Sequence, residues 1–267
     1  MAEPQSLPLA ERSDADLPGH WLLARLGKRV LRPGGLELTA RLLTAARIGG
    51  ADVVELGPGL GRTARDIVAL GPRSYVGVDD TAAATATVRG VVAPVSGSVV
   101  VADASQTGLP SGSADVVVGE AMLTMQGDKA KRAIMAEAFR VLRPGGRYAI
   151  HELGLQPDTM DQHTKDEIRR DMARAIKVNA RPLTTVEWTQ LLTETGFEVV
   201  TVDHAPMALL RPARVLADEG VVGTLRIVGN LIRRGAARRR VIGMRHTFAR
   251  YRRSLTAVAV VGVVPGA

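Results

Sequence analysis

Glu55-Leu56-Gly57-Pro58-Gly59-Leu60-Gly61 is the stretch that decides the fold. The run Ala51-Asp52-Val53-Val54 before it predicts a short buried strand, and Arg62 to Leu70 after it predicts a helix. A chain that turns from strand to helix through glycines brings bare backbone close to a ligand. It also aims the free N–H groups of the helix end at that ligand. Taken alone, such a loop fits a dinucleotide-binding enzyme as well.

Working outward, Tyr75-Val76-Gly77-Val78-Asp79-Asp80 is a second apolar run, ending in an acid 18 residues after Gly61. A carboxylate at the tip of a second parallel strand can accept both ribose hydroxyls of an adenosine. Val99-Val100-Val101-Ala102-Asp103-Ala104 is a third run ending in an acid, placed to accept from an adenine amine. Ala114 to Glu120, then Arg140 to Ile150, read as strand, helix, Pro-Gly-Gly turn and strand. The nicotinamide fingerprint puts its third glycine three residues after the second, and Arg62 stands there.

In this order, the stretches 55–61, 77–80, 100–105, 114–122 and 139–153 resemble the class I S-adenosylmethionine-dependent methyltransferases. Within that class they are most similar to the ubiquinone/menaquinone-biosynthesis C-methyltransferases. The resemblance covers roughly 36–204, with a final strand near 255–264. It implies a Rossmann-like α/β fold: a seven-strand, mostly parallel sheet with helices on both faces and an antiparallel last strand. It implies S-adenosylmethionine as cofactor and a small-molecule methyl acceptor, such as a quinone precursor, lipid or natural product. The alternative is a cofactor-binding protein without catalysis, acting as a regulator or scaffold.

The resemblance assigns Glu55 to the methionine amino group, the backbone of Gly57, Pro58, Gly59 and Gly61 to the methionine and ribose, Asp79 to the ribose hydroxyls, and Asp103 with Ala104 to the adenine. Asp80 is either a supporting acid or a helix N-cap. Glu120, just past the fourth strand, borders cofactor or substrate, or is a solvated loop acid. Met122 and Glu152 are expected in the substrate pocket. His151, at the end of the fifth strand, is the candidate base if the acceptor must lose a proton, and otherwise a strand cap.

Composition narrows the field. The chain has 267 residues, 46% hydrophobic, which suits one domain with additions. It has no cysteine, so disulfides, thiolate nucleophiles, cysteine–zinc sites and thiol-dependent arsenite methylation are excluded. The five histidines lack metal-ligand spacing, and no metal is expected. Met1-Ala2-Glu3-Pro4 carries an acid where a secretion signal would be basic, and no 18-residue apolar run exists, so a cytoplasmic location is expected. No Asn/Asp-Pro-Pro-Tyr/Phe motif follows the fourth strand, which disfavours nucleic acid as the substrate.

Residues 1–35 read as an arm whose helix at Leu17–Leu31 covers the site, and 154–183 as a second cover segment. The methyltransferase domain proper is 36–267. Val-Leu-Arg-Pro-Gly-Gly occurs at both 30–35 and 141–146 and reads as a helix stop each time. Thr184-Thr185-Val186-Glu187 is a capping-box signature.

The net charge of +8 is lopsided. Residues 206–254 hold twelve arginines against Asp218 and Glu219, a net +10, so the remainder is −2. This insertion between the last two strands predicts two basic amphipathic helices. One has apolar positions 221, 225, 228 and 232, the other 241, 244, 248 and 251, with a break at Gly235. Packing on the protein is the favoured role of their apolar faces, the alternative being that they lie on an anionic membrane with the arginines toward headgroups, and peripheral binding to an anionic surface is the functional expectation for the segment. Few aromatics accompany the arginines, so base stacking is not expected. The sequence leaves an oligomer open.

Overall fold

The computed structural model describes residue 9 and residues 11–266; residues 1–8 and 10 of the expected arm at 1–35 lie outside the described residues. In chain order the elements are α1 (Gly19–Arg25), α2 (Gly35–Ala46), β1 (Asp52–Leu56), α3 (Arg62–Ala69), β2 (Ser74–Asp79), α4 (Ala82–Val92), β3 (Ser98–Val101), β4 (Ala114–Glu120), α5 (Asp128–Val141), β5 (Leu142–Leu155), α6 (Gln162–Ile176), β6 (Leu183–Thr184), α7 (Thr185–Glu194), β7 (Glu198–Pro206), α8 (Pro212–Arg233), α9 (Gly235–Arg250) and β8 (Leu255–Val263).

The strands order as β3-β2-β1-β4-β5-β8-β7. All neighbours run parallel except β8, which is antiparallel to both β5 and β7. This is the expected seven-strand sheet, and the two-residue β6 adds an eighth strand against the end of β5. Strand order reverses between β1 and β4, the switch point where open α/β sheets leave a crevice for ligand.

Alternation along the strands divides the core into two layers. Leu56, Val117, Tyr148, Ile150, Val258 and Val260 face a layer completed by Ile134, Met135 and Trp188 of α5 and α7. Val53, Val116, Ala149, Ala257 and Ala259 face the other way, toward Leu38 and Leu42 of α2, Ile67 of α3 and Val88 of α4. The three alanines are small where α2 lies against β5 and β8. Each fully buried large side chain contributes about 1.5–3 kcal/mol. Thr184 caps α7, with the reciprocal Glu187 contact that the sequence predicts.

Above the strand ends sits a third layer. Leu22 and Leu23 of α1 pack with Val241 and Met244 of α9. Ile168 and Met172 of α6 pack with Leu153, Leu155 and Met207. The helix predicted over 17–31 forms only as α1. Gly27 at φ +104° breaks it, and the backbone N–H groups of Arg29 and Val30 donate to Glu219 instead of to a helical carbonyl.

The two basic helices form as predicted, with α9 starting at Gly235 and α8 bent at Gly220 (φ +68°). Their apolar faces differ. In α9, Val241 and Met244 are buried and Phe248 is half-buried, as packing requires. In α8, Val221, Leu225, Val228 and Ile232 are all exposed, against the expectation that this face packs. The inward face of α8 is Ile227, Asn230 and Leu231, one position round the helix from the apolar stripe.

Candidate active site

The β1–α3 loop needs its glycines because Gly57, Gly59 and Gly61 have φ of +66°, +52° and +70°. Gly57 N–H donates to Val78 C=O at 2.8 Å, and Gly61 N–H to Pro58 C=O at 2.8 Å. Asp79, at the end of β2, locks the loop from the side. One of its oxygens accepts Gly59 N–H at 3.1 Å and the other accepts Thr81 N–H at 3.0 Å. Burial pushes the Asp79 pKa up against these two hydrogen bonds.

A cavity of about 630 Å³ opens over this loop and the strand ends. Its lining includes Glu55, Gly57, Pro58, Gly59, Asp79, Asp80, Asp103, Ala104, Glu120 and Met122, so ten of the sequence-predicted site residues meet on one wall. Gly61 stands just behind it as the residue before α3. Glu55 is buried, accepts the Tyr75 hydroxyl at 2.6 Å, and has its pKa pushed up to about 8 by desolvation. Asp103 accepts the Ser105 hydroxyl and N–H at 2.6 and 2.7 Å, which hold its pKa down. Asp80 is not the N-cap of α4; Thr81 occupies that place.

His151 and Glu152 do not line the cavity. Both are fully buried. His151 Nε2 accepts Gly34 N–H at 3.1 Å, while Nδ1 lies 2.9 Å from Glu120 Oε1. That pairing fits the Nδ1–H tautomer and leaves no free lone pair for an acceptor's proton. Glu152 accepts the N–H groups of Met122, Leu123 and Thr124, at 3.0, 2.8 and 2.9 Å, and the Thr124 hydroxyl at 2.6 Å. It therefore shapes the wall by fixing the turn after β4 and does not face the cavity itself.

Sequence reading missed Arg32, which belongs to the first Val-Leu-Arg-Pro-Gly-Gly. Arg32 is buried on the cavity lining. Its Nη1 lies 2.7 Å from Glu120 Oε2 and donates to Thr39 Oγ1. Nη2 stands 3.5 Å from Asp66 but is buried without a hydrogen-bond partner among the described residues. Glu120 gathers Arg32, His151 and the hydroxyls of Thr39 and Thr63. Burial opposes its ionisation, but Arg32, His151 and Thr39 outweigh that and hold its pKa at about 2.

These residues fit a cofactor with a sulfonium, an amino acid end and an adenosine. The glycine loop leaves room, two acids stand at successive strand tips, Glu55 is a lining carboxyl that can accept from an ammonium, and Arg32 brings a guanidinium to the lining. The far half of the cavity is built differently. Trp21 of α1, Met125, Met172 and Ile176 of α6, Met207, and Met244 and Phe248 of α9 make it largely apolar, with His20 and Arg29 among its few polar groups.

Residues 54–150 match the family described as "Methyltransferase domain". The chain is 35% identical over 223 residues to an uncharacterized protein of Haemophilus influenzae, covering 82% of this chain and 87% of that one. Residues 54–150 thus make the core of this chain a class I S-adenosylmethionine-dependent methyltransferase domain. A probable member of that family from Mycolicibacterium smegmatis is 33% identical over 158 residues, 58% of this chain and 55% of its own.

The family's cofactor, S-adenosylmethionine, is the cofactor here. Among solved structures, the [4+2]-cyclase SpnF superposes with TM-score 0.67 at 16% identity, covering 86% of this chain and 82% of its own. Haemonchus contortus phosphoethanolamine N-methyltransferase 2, bound to phosphomonomethylethanolamine and S-adenosylhomocysteine, gives 0.69 at 17%, covering 96% and 59%. At such identities these two establish the methyltransferase fold alone. A cyclase on the same fold as an N-methyltransferase shows why the acceptor must be argued from the site.

Proposed function

We propose that this methyltransferase acts on a largely apolar small molecule, such as a quinone precursor, a lipid or a lipophilic natural product. The apolar half of the cavity carries this reading: Trp21, Met125, Met172, Met207, Met244 and Phe248 offer an acceptor contact surface and little charge. Space beyond the cofactor wall also favours turnover over a purely regulatory role.

The bound cofactor supplies an electrophilic methyl group on a sulfonium. The chain's own residues bind and orient. Asp79 takes the ribose hydroxyls and Asp103 with Ala104 the adenine, while the backbone of Gly57 and Gly59 borders the methionine and ribose. Glu55 would take the methionine ammonium, and Arg32, on the cavity lining, would face its carboxylate. The Glu120–Arg32–His151 cluster holds that guanidinium in place. Methyl displacement depends mainly on an in-line acceptor, and apolar walls place one while excluding water.

His20 is the imidazole at hand in the acceptor half. It makes no hydrogen bond to a described residue, and burial pushes its pKa down to about 4. A neutral imidazole so reluctant to take a proton orients a hydroxyl better than it deprotonates one. A lipophilic acceptor is met at a membrane, where the arginine-rich 206–254 segment would carry the enzyme. The cover segments α1 and α6 would open to admit it.

The test is incubation with methyl-labelled S-adenosylmethionine and matched acceptors. Lipophilic phenols and quinols form one set, and polar amines and amino acids the other. Label should move into the organic phase, with S-adenosylhomocysteine formed in equal amount. Labelling confined to the polar set would refute an apolar acceptor.

A further inference from the structure

Past the bend at Gly220, α8 presents a face that nothing in the fold requires. Val221, Val222, Leu225, Val228 and Ile232 are 64%, 73%, 65%, 45% and 68% exposed. Positions 221, 225, 228 and 232 follow i, i+4, i+7 and i+11, so they form one stripe along about three turns of helix. Only thirteen large aliphatic side chains are exposed among the described residues, and five of them crowd here. Scattered exposed aliphatics need no explanation, but a contiguous stripe does.

The stripe is not the packing face. On the inward side Ile227 is buried, Asn230 Nδ2 donates to Leu26 C=O at 3.0 Å, and Leu231 joins the α1–α9 cluster. The helix is thus held in register by contacts that leave the stripe outward.

Charge names the partner. From residue 220 to the C-terminus the sequence contains no acid. Asp218 and Glu219, the last two, are spent on Lys28 and on backbone N–H groups at 29, 30 and 36. Arg214, Arg234, Arg240 and Arg250 have partners among the described residues. Arg226, Arg233, Arg238, Arg239, Arg245, Arg252 and Arg253 are exposed with no ion pair to a described residue.

An aliphatic stripe in a field of unpaired arginines matches a surface with a greasy interior and anionic headgroups. A second copy of this chain would set arginines against arginines around the same stripe. A nucleic acid would use the arginines but leave five aliphatic side chains without a role.

We propose that the α8 stripe docks on an anionic membrane, the aliphatic side chains entering the headgroup region and the neighbouring arginines pairing with lipid phosphates. The face sits beside the cavity rim. Glu219 and Asn230 of α8 bind the 26–30 turn, whose Arg29 lines the cavity. Docking does not depend on which acceptor the enzyme methylates.

Flotation of the full-length chain with phosphatidylglycerol–phosphatidylcholine vesicles, against phosphatidylcholine alone, tests it. The chain should float with anionic vesicles only and be released by salt. The double variant Leu225→Asp/Ile232→Asp should lower partitioning by about tenfold or more, since it removes buried apolar area and adds repelling charge. Arg233→Glu/Arg238→Glu/Arg239→Glu should do the same. Val186→Asp, on an exposed site of α7, should have no effect.

All variants alter exposed positions, and unchanged melting and cofactor binding would verify their folding. Equal recovery with both vesicle types would overturn the proposal. So would anionic binding that survives Leu225→Asp/Ile232→Asp, which would reduce the contact to diffuse charge. A dimer in light scattering that the same double variant dissociates would assign the stripe to a second copy instead.

Discussion

The two halves of the cavity are made in opposite ways. The cofactor wall comes mainly from one continuous stretch, residues 55–122, at the ends of adjacent parallel strands. Its groups are polar, and most are already hydrogen-bonded: Asp79 to the glycine loop, Glu120 to four side chains, Glu55 to Tyr75. The wall proposed for the acceptor is gathered from α1, α6, α9 and the 207–209 turn, segments as much as 227 residues apart (Trp21 to Phe248), and is mainly apolar. A site built this way can hold a fixed cofactor while its other half changes to suit a different acceptor. Substitutions on the cofactor side should therefore affect binding or stability sharply. Those on the acceptor side should act on substrate parameters alone.

The largest effect is expected at Glu120. Glu120→Ala removes the nearer carboxylate of the buried Arg32 guanidinium, leaving only Asp66 at 3.5 Å, and the acid beside His151 Nδ1. Breaking a buried pair in this way costs about 3–5 kcal/mol. Denaturant unfolding of the empty protein should show that loss. A change within about 1 kcal/mol would mean that water reaches Arg32, and the cofactor wall would not be the rigid half.

Next comes Asp79→Ala. It deletes two hydrogen bonds to the backbone of the loop as well as the proposed ribose contact. Calorimetry should find S-adenosylmethionine binding weakened by about 1.5–3 kcal/mol, the range for lost charge-assisted hydrogen bonds. Retention of full affinity would remove Asp79 from the cofactor site.

The cofactor wall was legible because each strand announces its end. An apolar run closing on an acid, repeated at Glu55, Asp79 and Asp103, fixes both the strand and the residue at its tip. His151 and Glu152 close β5 in the same style, yet both point into the protein. Sequence cannot show that Gly34 and the 122–124 turn consume their hydrogen-bonding capacity.

Arg32 was hidden by its context. Val-Leu-Arg-Pro-Gly-Gly reads the same at both occurrences, but Arg143 of the second copy sits near the surface with Asp52 and Asp115. The helices α8 and α9 make the same point. Equal periodicity predicts a greasy face in each, and only tertiary contacts decide that α9 buries its face while α8 exposes it.

On the acceptor side, Phe248→Ala should raise the acceptor KM by about tenfold, near 1–2 kcal/mol of lost apolar contact, with the S-adenosylmethionine Kd unchanged. Phe248 lines the cavity from α9 and packs with the α1 cluster. A parallel loss of cofactor affinity would show that the two walls are coupled and would break the contrast between them.

The smallest expected signal, a fraction of a proton, tests the cofactor wall at its most specific. Desolvation raises the Glu55 pKa from 4.5 to about 8, so the empty site holds a protonated acid at neutral pH. A folded-state pKa above the unfolded one gives stability that is complete below about pH 4.5. It is lost as pH rises from 4.5 toward 8, because the unfolded chain ionises its carboxyl in that range while the folded chain keeps the buried one protonated. An incoming ammonium reverses the preference and favours the carboxylate. Binding near pH 7 should therefore release part of a proton, and the calorimetric enthalpy should vary with the ionisation enthalpy of the buffer. Glu55→Gln should abolish that dependence and flatten the stability profile between pH 4.5 and 8. If the wild-type enthalpy is the same in every buffer while Glu55→Gln still weakens binding, Glu55 meets the cofactor through a neutral hydrogen bond, and the ammonium is held elsewhere on the wall.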